Sequence, residues 1–335
     1  MKRLVILFLI AATPVAAAIL PGYDRLDVDA DHRLSPVSVS IWYPAGTVTY
    51  AAPIGNGPIF EHVPALMGPD VADGAHPLVL LSHGSGGNAD ALGWLSSALV
   101  QRGAIVVAVN HPGSTTGDSS PRRAVDLARR AADLSAALDT ILSDPAFRDH
   151  INPERVSVVG FSLGGTTALG LAGLRFDGAA QDARCAEMPD AADCRFFRRG
   201  GVVFASEPGF GADAEDNRVA RVIAVDPGFG YAVDPDSLDA IGASVAFINL
   251  GEEHRLPAVD VGPNGNGLAG RIPNAEHHVV APANHFTFLA PCQIGAAEIL
   301  AEEGEDPICS DPANVDRRAV HAELVRIIAL ELGFD

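Results

Sequence analysis

One stretch constrains this chain more than any other: RVSVVGFSLGGTTALGLAG, residues 155–173. It begins with a short β-branched apolar run, Val156 to Val159, the pattern of a buried strand. It ends in small, alanine-rich residues that suit a helix packed close against a sheet. Between the two, Gly160-Phe161-Ser162-Leu163-Gly164 fits G-x-S-x-G. A chain that passes from strand to helix through one serine must turn sharply, and a crowded turn admits only small neighbours. Gly160 and Gly164 meet that demand, and Gly165 adds room. A serine on such a turn projects its hydroxyl from the C-terminal edge of the sheet, where open α/β proteins bind ligands. The start of the following helix favours the negative charge that an attacked carbonyl develops. The motif alone is short enough to arise by chance in a phosphate-binding or packing turn. Its strand–turn–helix flanks make Ser162 a candidate nucleophile.

The rest of the chain repeats this alternation. VSVSIWYPAG (37–46) reads as an antiparallel edge strand, followed by a long Pro- and Gly-rich loop over 44–76. PLVLLSHGSGG (77–87) is an apolar strand ending in a glycine loop; 89–103 reads as a helix stopped by Gly103, and 104–113 as the next buried strand. Residues 121–144 form the clearest helix, opened by Pro121, with Leu127, Ala131, Leu134, Leu138 and Ile141 on one face. Strands are expected at 221–227, 244–251 and 277–282, and a closing helix at 316–334. Buried strands alternating with amphipathic helices imply an α/β fold, with a mostly parallel sheet covered on both faces. Residues 175–220 break the rhythm: they are rich in charge and turn formers and carry two cysteines. They read as an insertion over one end of the sheet, a candidate lid, within a single domain spanning 19–335.

Composition narrows the chemistry. The formal charge of −19 repels phosphate backbones, which disfavours nucleic acid as a partner. MKRLVILFLIAATPVAAA (1–18) has a basic start, an apolar centre and an Ala-x-Ala-like end, the layout of a signal peptide cleaved after Ala18. Its apolar run is shorter than the roughly 20 residues a spanning helix needs, and no later segment is long and apolar enough to span. The protein is therefore expected to be secreted or periplasmic. Loss of Lys2 and Arg3 with the signal removes two positive charges and takes the total from −19 to −21. Lys2 is the only lysine, so the mature chain has no Schiff-base lysine, no P-loop lysine and no serine–lysine dyad. Cys185, Cys194, Cys292 and Cys309 fit an oxidising compartment, and their spacing does not suit zinc. Of three possible connectivities, the sequential one is favoured: Cys185–Cys194 and Cys292–Cys309.

A serine hydroxyl needs a base, an orienting acid and oxyanion donors. An elbow of this type takes its partners in the chain order Ser, Asp or Glu, His. The earlier strand ends in His83-Gly84-Ser85-Gly86-Gly87, which assigns the Ser85 N–H and the Leu163 N–H as oxyanion donors. His285, in the loop after strand 277–282, is the candidate base. His277 and His278 fall at a strand start, the wrong end of the sheet, and His321 belongs to the final helix. His83 and His111 precede the serine and read as pocket or supporting residues. The acid has three candidates. Asp226 follows a buried strand directly, while Glu252 and Glu253 follow the next one; the shorter, better-defined side chain favours Asp226. Phe161, Phe286, Phe288 and Leu289 are candidates for an apolar acyl pocket or for core.

Taken together, WYPAG, PLVLLSHGSGG, NHPG, RVSVVGFSLGGTTAL, AVDPGFG, NHFTFLAPC and DRRAVHAEL span nearly the whole mature chain. The set resembles the α/β-hydrolase superfamily, and within it the platelet-activating-factor-acetylhydrolase-like and predicted dienelactone hydrolase group of secreted bacterial proteins. The resemblance implies a serine esterase with Ser162 as nucleophile and His285 as base, acting without metal or organic cofactor on a small-molecule or lipid-like ester. It also favours Asp226, because acetylhydrolases of this kind carry the acid after the strand that follows the nucleophile helix. Many relatives carry it one strand later, in G-x-x-D, where this chain reads Gly251-Glu252-Glu253-His254. Dienelactone hydrolases use a cysteine nucleophile, and this chain has serine. The same machinery would also serve an acyltransferase or a peptidase, and the bare fold a non-catalytic binding module.

Overall fold

The computed structural model describes residues 20–334, so the expected signal at 1–18 lies outside the described residues. The chain opens with β1 (Gly22–Val28), β2 (Val37–Tyr43), β3 (Ala51–Ile54), β4 (Val63–Met67) and β5 (His76–Ser82). Helix α1 (Gly93–Val100), β6 (Ile105–Val109) and a small hairpin of β7 (Ser114–Thr115) and β8 (Asp118–Ser119) follow. Helices α2 (Pro121–Ala124) and α3 (Leu127–Ser143) lead to β9 (Ile151–Phe161), which runs into α4 (Leu163–Leu171). Next come α5 (Gly178–Glu187), α6 (Ala192–Arg199) and α7 (Pro208–Gly211), then β10 (Val219–Val225), β11 (Ser244–Leu250) and β12 (Glu276–Val280). Helices α8 (Ala296–Glu303) and α9 (Arg317–Leu332) close the chain.

One ten-stranded sheet carries the fold, in the order β12-β11-β10-β9-β5-β6-β2-β1-β4-β3. The strands from β12 to β6 are all parallel. β5, β6, β11 and the C-terminal halves of β9 and β10 are largely apolar and buried on both faces, whereas β12, at the edge, is partly exposed. Along β5, Leu78 and Leu80 enter the core shared with α3 and α4, while Val79 and Leu81 enter the core shared with α1 and α9. Residues 105–109 of β6 divide in the same alternating way. Helix α3 buries Leu134 and Leu138 completely, each contributing roughly 1.5–3 kcal/mol of transfer free energy.

Three sequence expectations need correction. β2 is antiparallel to both neighbours but lies inside the sheet, between β6 and β1, and not at an edge. The reason is β1, whose Asp24, Arg25 and Asp27 dilute its apolar signal while Tyr23 stays buried. The span 44–76 is not one loop, because β4 pairs with β1 and β3 with β4. Pro53 is tolerated because β3 is the outer strand. The helix expected over 121–144 is two helices, since the Asp126 carboxylate accepts the Arg129 N–H and starts α3 afresh.

The insertion over 175–220 contains α5, α6 and α7, with α6 against α2 and α7 against α3. Cys185 is bonded to Cys194, which joins α5 to α6, and Cys292 is bonded to Cys309. Phe176, Phe197, Phe204 and Phe210 gather around Phe229, three residues after Asp226. The Asp177 N–H donates to the Ala232 carbonyl, and the Arg184 guanidinium lies 3.7 Å from the Tyr231 ring centroid. The insertion is thus fastened to the segment that leaves β10. Among the described residues, no helix is long and apolar enough to cross a membrane.

Candidate active site

The parallel strands end in a staircase. The Ser162 N–H, just past β9, donates to the Val225 carbonyl of β10; the Asp226 N–H, just past β10, donates to Ile248 of β11; the Gly251 N–H, just past β11, donates to Val280 of β12. Each first residue beyond a strand is therefore held by its neighbour strand at one rim of the sheet. Ser162 has φ 55° and Asp226 φ 45°, both in the left-handed region that side chains other than glycine avoid. The crowding at the elbow is severe. A Cβ on Gly160 would lie 2.0 Å from the Gly164 carbonyl oxygen, and one on Gly164 would lie 2.0 Å from that of Ser82.

At that rim the Ser162 hydroxyl lies 3.2 Å from His285 Nε2, and His285 Nδ1 lies 2.9 Å from Asp226 Oδ2. Asp226 is fully buried and His285 is 9% exposed, while Ser162 is partly open to solvent. A carboxylate can only accept, so Nδ1 carries the proton and Nε2 presents its lone pair to the serine. The other Asp226 oxygen accepts the Leu250 N–H at 3.0 Å and the Asn249 side-chain N–H at 2.9 Å. His285 opens a short 3-10 turn whose cap is Asn284. The Asn284 side chain accepts from the N–H groups of Phe286 and Thr287, and the Thr287 hydroxyl accepts the Asn284 N–H. Thr287 also donates to Asp311, which is paired with Arg317.

The Glu252 and Glu253 side chains are exposed, as is His254 at the position of the G-x-x-D acid. The carboxylate against His285 is that of Asp226. His277 binds the Asn249 side chain and His278 binds Glu331, both within β12. His321 stacks on Trp94 at 3.7 Å, and burial pushes its pKa down to about 4. Phe161 packs on Phe288 at 4.4 Å and lies 4.7 Å from the His285 ring. Phe161 and Phe288 are buried and belong to the core, while Phe286 and Leu289 keep part of their surface at the rim.

The glycine loop that carries Ser85 packs against the elbow that carries Leu163. A Cβ on Gly84 would come within 3.2 Å of Ser162 Cβ, so the glycine loop sits directly on the serine. Among the described residues, neither the Ser85 N–H nor the Leu163 N–H is taken up by a protein acceptor. His83 and His111 line no open pocket, being 1% and 0% exposed. Burial lowers both pKa values, with the Arg130 charge adding to it; His111 falls to about 4. They belong to a buried network with Ser82, Arg130 and Asp133, invisible in the sequence because α3 reads as charged on its solvent side. Asn249 was equally hidden, as one amide inside the apolar run SVAFINLG.

A separate cleft of about 620 Å³, lined by Asp29, His32, Asp139 and Glu215 among others, contains none of the rim residues. Among the described residues, no group of three or more His, Cys, Asp or Glu side chains is arranged to hold a metal ion.

The model of the alpha/beta hydrolase family matches residues 78–297, which include every rim residue named above. A cutinase of Thermobifida alba, est2, is 34% identical over 101 residues, covering 30% of this chain and 31% of the cutinase. The chain thus matches less than a third of that protein's length. Among solved structures, a ferulic acid esterase from Streptomyces cinnamoneus superposes with a TM-score of 0.61 at 18% identity, covering 96% of this chain and 91% of the esterase. A dienelactone hydrolase from Anabaena variabilis gives a TM-score of 0.45 at 16% identity, covering 85% of this chain and 96% of the hydrolase.

Proposed function

The chain belongs to the alpha/beta hydrolase family, and from that membership we propose that it is an exported serine esterase acting on carboxylic esters, acetylhydrolase-like in its placement of the acid. The observation that carries this reading is the continuous hydrogen-bonded path from Ser162 through His285 to Asp226, 3.2 Å and 2.9 Å long. Export rests on the signal-like residues 1–18, and the two disulfides suit an oxidising compartment. Residues 19–335 act as one domain.

The proposed reaction runs through an acyl-enzyme. Ser162 Oγ attacks the ester carbonyl carbon while its proton passes to His285 Nε2. The imidazolium that forms is oriented and stabilised by Asp226 through Nδ1–H. The carbonyl oxygen becomes an oxyanion between the Ser85 and Leu163 N–H groups. Collapse of the tetrahedral intermediate breaks the bond to the leaving alcohol, which takes the proton from His285. Water then attacks the acyl-serine with His285 again as base, and the acid departs. The experiment is hydrolysis of a p-nitrophenyl ester series of graded acyl length by the parent protein and Ser162→Ala. The parent should turn over and react stoichiometrically with a fluorophosphonate, whereas Ser162→Ala should do neither. Substantial turnover by Ser162→Ala would remove the assignment.

A further inference from the structure

Behind the oxyanion loop lies a buried charged cluster with no place in the reaction sequence above. Arg130 and Asp133, on α3, are 1% and 0% exposed. Asp133 accepts from His32, from His111 and, with both oxygens, from Arg33. Burial alone would raise its pKa, yet these hydrogen bonds outweigh that and hold the carboxyl well below the usual range. Arg130 makes its contacts elsewhere. Its Nε donates to the Thr167 hydroxyl at 2.9 Å, Nη1 donates to the Ser114 hydroxyl, and Nη2 donates to the His83 carbonyl at 2.6 Å and to the Ser82 hydroxyl at 3.3 Å.

We propose that Arg130 is a positioning residue for the oxyanion hole, holding the two backbone donors at a fixed separation. The inference rests on the serine esterase reading of the site. On the loop side, Arg130 fixes the His83 carbonyl, and the next carbonyl, Gly84, accepts His83 Nδ1–H at 2.7 Å and the Gly87 N–H at 3.1 Å. That bond sets the tautomer, so His83 Nε2 is free to accept the His111 N–H at 3.2 Å. In a trans peptide the carbonyl and the following N–H point in opposite directions. A Gly84 carbonyl held by His83 and Gly87 therefore turns the Ser85 N–H the other way.

On the elbow side, the Thr167 hydroxyl that accepts Arg130 Nε–H donates in turn to the Leu163 carbonyl at 2.8 Å. The same guanidinium is thus tied to both residues flanking the developing charge: to Ser85 through the consecutive carbonyls of its loop, and to Leu163 through Thr167. Its planar, rigid fork makes it a spacer that a flexible ammonium does not match. The hairpin of β7 and β8 completes the brace, because the Gly86 N–H donates to the Ser114 carbonyl at 2.8 Å and Arg130 holds the Ser114 side chain.

The test compares a p-nitrophenyl ester with its thionoester, which places sulfur where the oxyanion forms. Sulfur is larger and a weaker hydrogen-bond acceptor, so a well-formed oxyanion hole discriminates against it. Arg130→Gln and Thr167→Val should lower kcat on the oxygen ester by about 10- to 100-fold, with KM changed by less than about threefold. The ester-to-thionoester ratio of kcat/KM should shrink by a similar factor, and Arg130→Lys should recover part of both. Parallel losses on the two substrates, leaving the ratio at its parent value, would reduce Arg130 to a purely structural role and overturn the proposal. If Arg130→Gln does not fold, Thr167→Val, which deletes one hydroxyl, decides by the same ratio. Failure of the esterase reading is distinguishable, because it would appear as ester turnover surviving in Ser162→Ala.

Discussion

Asn249 donates its side-chain N–H, at 2.9 Å, to the Asp226 oxygen that faces away from His285. The amide is fully buried and completely used: it also donates to the Val259 carbonyl at 2.8 Å, and its oxygen accepts from the Val261 N–H and from His277. It fixes the rotation of the Asp226 carboxylate and, through it, the plane of the His285 ring. Asn249→Ala strands the Val259 and Val261 backbone groups in the core. It should lower stability by about 2 kcal/mol or more and kcat by about tenfold. Urea unfolding and ester turnover measure the two separately, and an unchanged kcat would show that Asp226 needs no such partner.

The acid can be assigned by replacing each candidate carboxylate with its amide. Asp226→Asn keeps the shape but offers His285 an amide where it needs an acceptor, and should reduce kcat by roughly 10³- to 10⁴-fold. Glu252→Gln with Glu253→Gln changes two exposed side chains and should leave kcat within about twofold. A large loss in the double glutamate variant, with Asp226→Asn close to parent, would reverse the assignment.

These residues differ in how readable they were, and the reason is physical. Ser162 and Asp226 directly follow strands whose C-terminal halves are buried on both faces, and such strands announce themselves as apolar runs. His285 follows the half-exposed edge strand β12 and was legible from its place in the chain order instead. The antiparallel half was harder. β1, β3 and β4 are half-exposed, two of them contain proline, and the β1–β4 pairing joins residues as far apart in sequence as Gly22 and Leu66. Without β1 in view, β2 read as an edge. Arg130 and Asp133 sit in LARRAADLSAALD, where charges normally mean a solvated helix face. What buries them is the convergence of residues 32–33, 82–83, 111 and 114 on α3, which no local pattern encodes.

The elbow glycines should be intolerant of even one added carbon. Gly160 and Gly164 are required by close approach, because their missing Cβ positions lie 2.0 Å from the Gly164 and Ser82 carbonyl oxygens respectively. Those are backbone atoms of adjoining elements, so no side chain can swing aside. Gly160→Ala and Gly164→Ala should each lose about 3 kcal/mol or more of stability and most ester turnover. Gly170→Ala is the control: its Cβ would meet nothing within 4 Å, and replacing glycine inside α4 should be neutral or stabilising by up to about 1 kcal/mol. Thermal melts of the three variants rank them, and equal midpoints for Gly160→Ala and Gly170→Ala would contradict the packing argument.

Acid should weaken the fold through its buried histidines before it reaches the carboxylates. Burial pushes both His321 and His111 down to about 4, while in the unfolded chain each titrates near 6.5. Between those values the unfolded chain binds more protons than the folded one, so stability declines as pH falls from about 6.5 toward 4. Asp133 acts in a lower window. Its depressed pKa contributes stability that is intact above the ordinary carboxylate pKa of about 3.9 and is lost only as pH drops toward the folded value. The free energy of urea unfolding measured at pH 7.5, 6 and 5 should therefore decrease stepwise. His321→Gln should remove up to about 1.4 kcal/mol per pH unit from that slope. A slope in His321→Gln identical to the parent's would mean that the ring stacked on Trp94 is not held neutral by its burial.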